Sequence, residues 1–224
     1  MEPTRRQLEE ALRYLRVPDR RRGEMLEMAR AGVAELSSCA KSRKVWGRFS
    51  LTIEESGVVL GDGSVRCASR DLARLFANCR SCVVMAVTLG PEVDRRTQLL
   101  GRGSMSRALC LDACASVWAD SLCDEVEDEV EETLREGEYL TRRFSPGYGD
   151  VPMEFSGDLL WLVDAERRIG LTMTRKGMMI PVKSVTALLG ISDSPERRQR
   201  SCDDCSFAAC QYRRKGGFCH DERI

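Results

Sequence analysis

RFSPGYGDVP, residues 143–152, separates a long charged helical stretch from a shorter amphipathic one. Pro146, Gly147, Gly149 and Pro152 exclude helix interior and regular strand here. The stretch also carries a cation, Arg143, and an aromatic donor, Tyr148. A stiff, glycine-bent loop brings backbone amides close to a partner while fixing a few polar side chains. Local physics leaves two readings open: a small-ligand cradle, or an ordinary tight surface connection.

On either side of this loop, helical and strand periodicities are mixed. Thr4 and Gln7 form a capping box, and Leu8, Ala11, Leu12 and Leu15 follow on one helical face. Asp19 is placed to cap a second helix to about Leu36, with Met25, Leu26, Ala29, Val33 and Leu36 inward. From Val45 the period becomes two: Val45, Gly47, Phe49, Leu51 and Ile53 mark a half-buried strand. Residues 58–60 form another strand, Gly61-Asp62-Gly63 a hairpin turn, and Ser69 caps a short helix. Cys79 and Cys82 make a CxxC, but it leads into the apolar run 83–89 rather than a helix; core packing is preferred over redox chemistry.

Residues 104–136 give the longest helical signal, roughly 50 Å if unbroken. Its first half is rich in Ala, Ser and Cys, which permits close helix approach. Its second half is acidic and reads as mostly a solvated face. Beyond the loop, Ser156 is placed to cap a helix closed by Gly170. Strands are expected over 171–174, 178–180 and 185–191, with a turn at Lys176-Gly177.

Composition narrows the function. The 35 basic and 35 acidic residues cancel, giving no general electrostatic case for nucleic acid or anionic membrane. The N-terminus shows no signal-peptide pattern and no apolar run approaches the ~18 residues of a membrane span, so a cytoplasmic location is expected. The single histidine, His220, leaves no His-based triad for the main body. After a polar linker at 192–200 comes a Cys-rich module, 201–224. Cys202, Cys205, Cys210 and Cys219, spaced C-x2-C-x4-C-x8-C, suit tetrahedral zinc or an iron–sulfur cluster; sulfur ligands alone do not separate the two.

RFSPGYGDVP resembles the RxxxGY loop of the activation domain of cobalamin-dependent methionine synthase. Further pieces follow in the same order: the Leu-rich segment 159–163, Ile169-Gly170-Leu171-Thr172, Met179-x-Pro181 and Ser184-Val185-Thr186. The resemblance is specific over about fifty residues. It implies an S-adenosylmethionine site in which Arg143 holds the ligand carboxylate and Tyr148 faces the sulfonium. Gly147 and Ser145 would offer close backbone. The chain departs from the family pattern at Pro152-Met153-Glu154, and no residue for the ligand amino group is assigned.

The expected architecture is α+β: an antiparallel or mixed sheet covered by helices over 1–191, then the linker and the Cys-rich module. The resemblance implies an accessory subunit that supports reductive reactivation of cobalamin, rather than a complete enzyme. No cobalamin-binding DxHxxG motif is present, so cobalamin would be met only through a methionine synthase partner. A flavodoxin- or ferredoxin-type protein would supply the electron. Two alternatives remain open: an activator of another corrinoid methyltransferase, and a metal-stabilised interaction protein that no longer binds S-adenosylmethionine.

Overall fold

The computed structural model describes residues 4–195 and, further on, the paired backbone of 200–201 and 218–219. The helices are α1 (Arg5–Tyr14), α2 (Arg22–Cys39), α3 (Arg70–Leu75), α4 (Pro91–Gly103), α5 (Met105–Glu131), α6 (Phe155–Leu162) and α7 (Ala165–Ile169). The strands are β1 (Arg43–Glu54), β2 (Gly57–Leu60), β3 (Val65–Cys67), β4 (Cys79–Thr88), β5 (Tyr139–Leu140), β6 (Thr172–Met173), β7 (Met179–Ile180), β8 (Ser184–Ser192), β9 (Arg200–Ser201) and β10 (Phe218–Cys219). The protein is therefore α+β. No described helix is long and apolar enough to cross a membrane.

The chain forms two compact units, each assembled from three segments. The first comprises Met1–Val45, Ala86–Val126 and Ala165–Val185. Here α1 packs on α2, and α2 on α4. The capping box forms: the Thr4 hydroxyl accepts from the Gln7 N–H at 3.2 Å, and Gln7 Oε1 accepts from the Thr4 N–H at 2.9 Å. Leu8, Ala11 and Leu12 are buried, as are Met25, Ala29, Val33 and Leu36 of α2. A 3-10 turn over Asp19–Arg21 leads into α2, and Arg21 rather than Asp19 is its N-cap. The small residues of α5 do allow close approach. A Cβ on Gly32 would lie 3.6 Å from the Cys114 sulfur, which itself reaches the Ala29 carbonyl at 3.7 Å. The β6–β7 hairpin pairs Thr172 with Ile180 and Met173 with Met179.

The second unit comprises Trp46–Met85, Glu127–Asp164 and Thr186–Ile224. It is built on a six-stranded sheet of order β3-β2-β1-β4-β8-β5. β1–β2, β2–β3 and β5–β8 pair antiparallel. Strand β1 shows the expected alternation, with Leu51 buried between exposed Ser50 and Thr52. Helix α3 packs on β2 above fully buried Leu72 and Phe76. Helix α6 lies against β8, where the Thr186 hydroxyl donates to the Ser156 hydroxyl at 3.1 Å.

That last bond corrects one expectation. Ser156 is not a helix cap; it sits inside α6, whose N-cap Glu154 makes no side-chain capping bond. The helix also stops early, at Leu162, and α7 begins after Asp164, which takes a left-handed φ of 52°. The long helix ends at Glu131 rather than Glu136, and β8 takes in Ser192 of the expected linker.

Candidate functional site

The loop is launched from the sheet's edge. Strand β5 pairs with the end of β8, Tyr139 opposite Ser192 and Leu140 opposite Ile191. The Thr141 N–H then donates to the Gly190 carbonyl at 2.9 Å, and the Gly190 N–H to the Thr141 hydroxyl at 2.8 Å. Phe144 and Leu188 exchange both backbone bonds, at 2.9 and 2.8 Å. Residues 139–144 are thus held along β8 and the chain turns away only at Ser145.

Beyond Ser145 the turn closes on itself. The Gly147 N–H donates to the Val151 carbonyl at 2.9 Å, and the Val151 N–H to the Tyr148 carbonyl at 3.1 Å. Gly147 and Gly149 have φ of 88° and 55°, a region costly for residues with a Cβ. Space demands glycine too. A Cβ at 147 would run into the Met153 thioether, and one at 149 into the Asp71 carboxylate.

Both ends of the loop are tied by charge. Arg143, only 8% exposed, forms a buried ion pair with Glu127 from the last turns of α5. At the other end the Asp150 carboxylate accepts hydrogen bonds from the Ser69 hydroxyl and from the N–H groups of Arg70, at 2.8 Å, and Asp71, at 3.4 Å. Ser69 in turn caps α3 by accepting from the Leu72 N–H at 3.0 Å. Burial pushes the Asp150 carboxyl up, but these hydrogen bonds together outweigh it and hold the carboxyl below its ordinary value.

The four residues expected to form the site lie on this one turn, in different surroundings. Arg143 is buried, Ser145 is half-buried, and Gly147 and Tyr148 are exposed, the Tyr148 side chain to 66%. Glu127 and Asp150 were not anticipated. The acidic end of α5 read as a solvated face, yet Glu127 is buried and Glu129 accepts from the Trp46 indole at 3.2 Å. Asp150 gave no local signal, because its partners lie about eighty positions back in sequence. Cys202, Cys205 and Cys210 lie outside the described residues; Cys219 is described only in its backbone, paired with Arg200. Among the described residues, no group of three His, Cys, Asp or Glu side chains is placed to hold a metal ion. The CxxC lies in strand β4 rather than at a helix N-terminus, and in a strand residues three apart face opposite ways. Burial, aided by the charge of Cys79, pushes the Cys82 thiol up to about 12.

Residues 111–201 match the family model described as vitamin B12 dependent methionine synthase, activation domain. A crystal structure of the MetH reactivation domain bound to AdoHcy shares the fold, with a TM-score of 0.55 at 17% identity. The chain is activation-domain-like. The structural match covers 83% of this chain and 64% of the other, so the chain spans less than two-thirds of that structure. No curated protein matches the chain. The matched stretch begins in α5 at Leu111 and takes in the whole Arg143–Pro152 loop with both of its anchors, Glu127 and Asp150.

Proposed function

We propose that this chain binds S-adenosylmethionine and supports reductive reactivation of cobalamin carried by a separate methionine synthase subunit, in the cytoplasm. One observation carries the reading: the Arg143–Pro152 turn lies inside the stretch that matches the activation-domain family. The fold neighbour bound to AdoHcy, the demethylated counterpart of the ligand, supports it.

The residues present suit such a ligand. Gly147 and Gly149 bend the chain through left-handed φ and leave its backbone exposed at the turn. Tyr148 offers an aromatic face for a sulfonium. The Arg143 guanidinium is a planar fork for a carboxylate, and Phe144 bound to Leu188 fixes its backbone. Ser145 contributes backbone. When bound, S-adenosylmethionine supplies an electrophilic methyl group to cobalt that a flavodoxin- or ferredoxin-type donor has reduced by one electron. The chain's own part is to hold and aim that ligand.

The C-terminal module, joined through 192–200, is proposed to hold zinc or an iron–sulfur cluster on Cys202, Cys205, Cys210 and Cys219. Support comes from the cysteine spacing and from the pairing of 200–201 with 218–219, which joins the two ends of the run.

A second reading rests on the Arg143–Glu127 pair. If that guanidinium serves structure alone, the chain is a metal-stabilised interaction protein without the ligand. Calorimetry with S-adenosylmethionine and with AdoHcy decides. Saturable binding of either supports the first reading; no heat from both overturns it in favour of the second. Co-purification with a methionine synthase rather than another corrinoid protein identifies the partner.

A further inference from the structure

Arg143 already holds a carboxylate. Glu127 and Arg143 are 9% and 4% exposed at their side chains, and they meet within one unit of the fold. The arginine's backbone is fixed, since Phe144 is bonded on both sides to Leu188. The glutamate stands four positions before the end of α5. We propose that Glu127 is an internal competitor for the seat of the ligand carboxylate: a positioning residue that occupies the Arg143 guanidinium and yields it when a carboxylate-bearing ligand arrives. The inference rests on the S-adenosylmethionine reading above and adds to it a device that sets affinity and selectivity.

Electrostatics explains why the two carboxylates exclude one another. A buried guanidinium and one carboxylate are neutral as a pair. A second carboxylate at the same fork brings like charges together away from water, which is strongly unfavourable. A ligand carboxylate that takes the Nη1 side of the guanidinium displaces Glu127 from it, and the lost pair is subtracted from the affinity of each ligand that binds there. A ligand lacking that group leaves Glu127 in place and bears no such cost. Glu127 thereby lowers the site's preference for the amino-acid end of the ligand and keeps Arg143 neutralised between binding events.

The test compares AdoHcy with its decarboxylated analogue by calorimetry, on the full chain and on Glu127→Gln. Thermal melting of each protein confirms folding. The expected result is AdoHcy binding about tenfold tighter or more in Glu127→Gln, with the decarboxylated analogue within about twofold of wild type. A purely structural glutamate would shift both ligands alike, and that outcome overturns the proposal while leaving the binding reading intact. Loss of AdoHcy binding in a folded Glu127→Gln also overturns it. Binding of neither ligand by either protein overturns the proposal and the reading together. If Glu127→Gln fails to fold, Glu127→Asp withdraws the carboxylate by one methylene; the same preference, shifted in the same direction, is expected, and an unchanged preference overturns the proposal.

Discussion

Arg143 and Tyr148 stand five positions apart, one 8% exposed and the other 66%. Their replacement should separate stability from binding. Arg143→Ala leaves Glu127 buried without this partner, and a broken buried pair costs about 3–5 kcal/mol. Urea denaturation should show a loss of that size. Removing both charges as Arg143→Met with Glu127→Met should cost less than the sum of the single changes, because neither side chain is then left charged without the other. Tyr148→Ala should change stability by less than about 0.5 kcal/mol while weakening ligand binding. A stability loss at Tyr148 matching that at Arg143 would show that exposure does not divide their roles. The sequence displayed both residues on one turn and the glycines that bend it. It could not display the burial of Arg143, because that follows from where α5 ends, and the acidic repeat around Glu127 looks alike on its wet and dry faces.

The elements show the same division between local and long-range causes. Caps whose partners lie within one turn, Thr4 and Ser69, were legible because side chain and N–H are three positions apart. Ser156 had the same local signature, but Thr186 of β8 holds its hydroxyl, so the tertiary partner won. The two-residue strand β5 exists only because β8 runs beside it, and no periodicity announces so short a strand. The latch between Asp150 and α3 is likewise tertiary, and it predicts a pH effect. The folded carboxyl lies below its unfolded value of about 3.9. Its contribution is therefore full above that unfolded value and is lost as pH falls through the lower folded value. In thermal melts taken from pH 5 downward, Asp150→Asn should lose stability less steeply than wild type; parallel curves would remove the latch. Close approach supplies a second test. In α2 a Cβ on Gly32 meets only ordinary contacts, nearest at 3.6 Å, so Gly32→Ala should gain about 0.5–1 kcal/mol of helix propensity. In β8 a Cβ on Gly190 would lie 2.5 Å from the Cys79 sulfur and 2.7 Å from the Phe76 ring, so Gly190→Ala should cost about 1–3 kcal/mol. Equal effects at the two glycines would contradict this packing.

Across the whole molecule the cysteines fall into two populations. Cys67, Cys79, Cys82, Cys110, Cys114 and Cys123 are buried, and Cys39 is partly so. Burial, followed by the charges of Asp150 and Asp158, pushes the Cys67 thiol up to about 11, and Cys82 is pushed higher still. A thiol must lose its proton to bind metal, and these two are buried with no group of metal-ligating side chains around them among the described residues, which suits packing. The others are Cys202, Cys205, Cys210 and Cys219, set among polar and charged residues of both signs with little apolar sequence to bury them. A module this short does not support a hydrophobic core of its own, and a metal would substitute for one. The β9–β10 pairing fits that account, because it joins the chain just before Cys202 to Cys219 itself. The anaerobically purified protein should therefore contain about one zinc per chain or the iron and sulfide of one cluster, with visible charge-transfer absorption in the second case. Stripping the metal should expose the four C-terminal thiols to a thiol reagent at neutral pH while the buried ones stay silent. On the proposal that 201–224 form a module of their own, Cys202→Ser should abolish metal binding and leave the main thermal transition within about 0.5 kcal/mol of wild type. Protein free of zinc and iron, whose C-terminal thiols react fully before any chelator is added, would remove the metal from this account. A main transition that collapses with the metal would instead make the module part of the core fold, and would tie the occupancy of those cysteines to the Arg143–Pro152 turn.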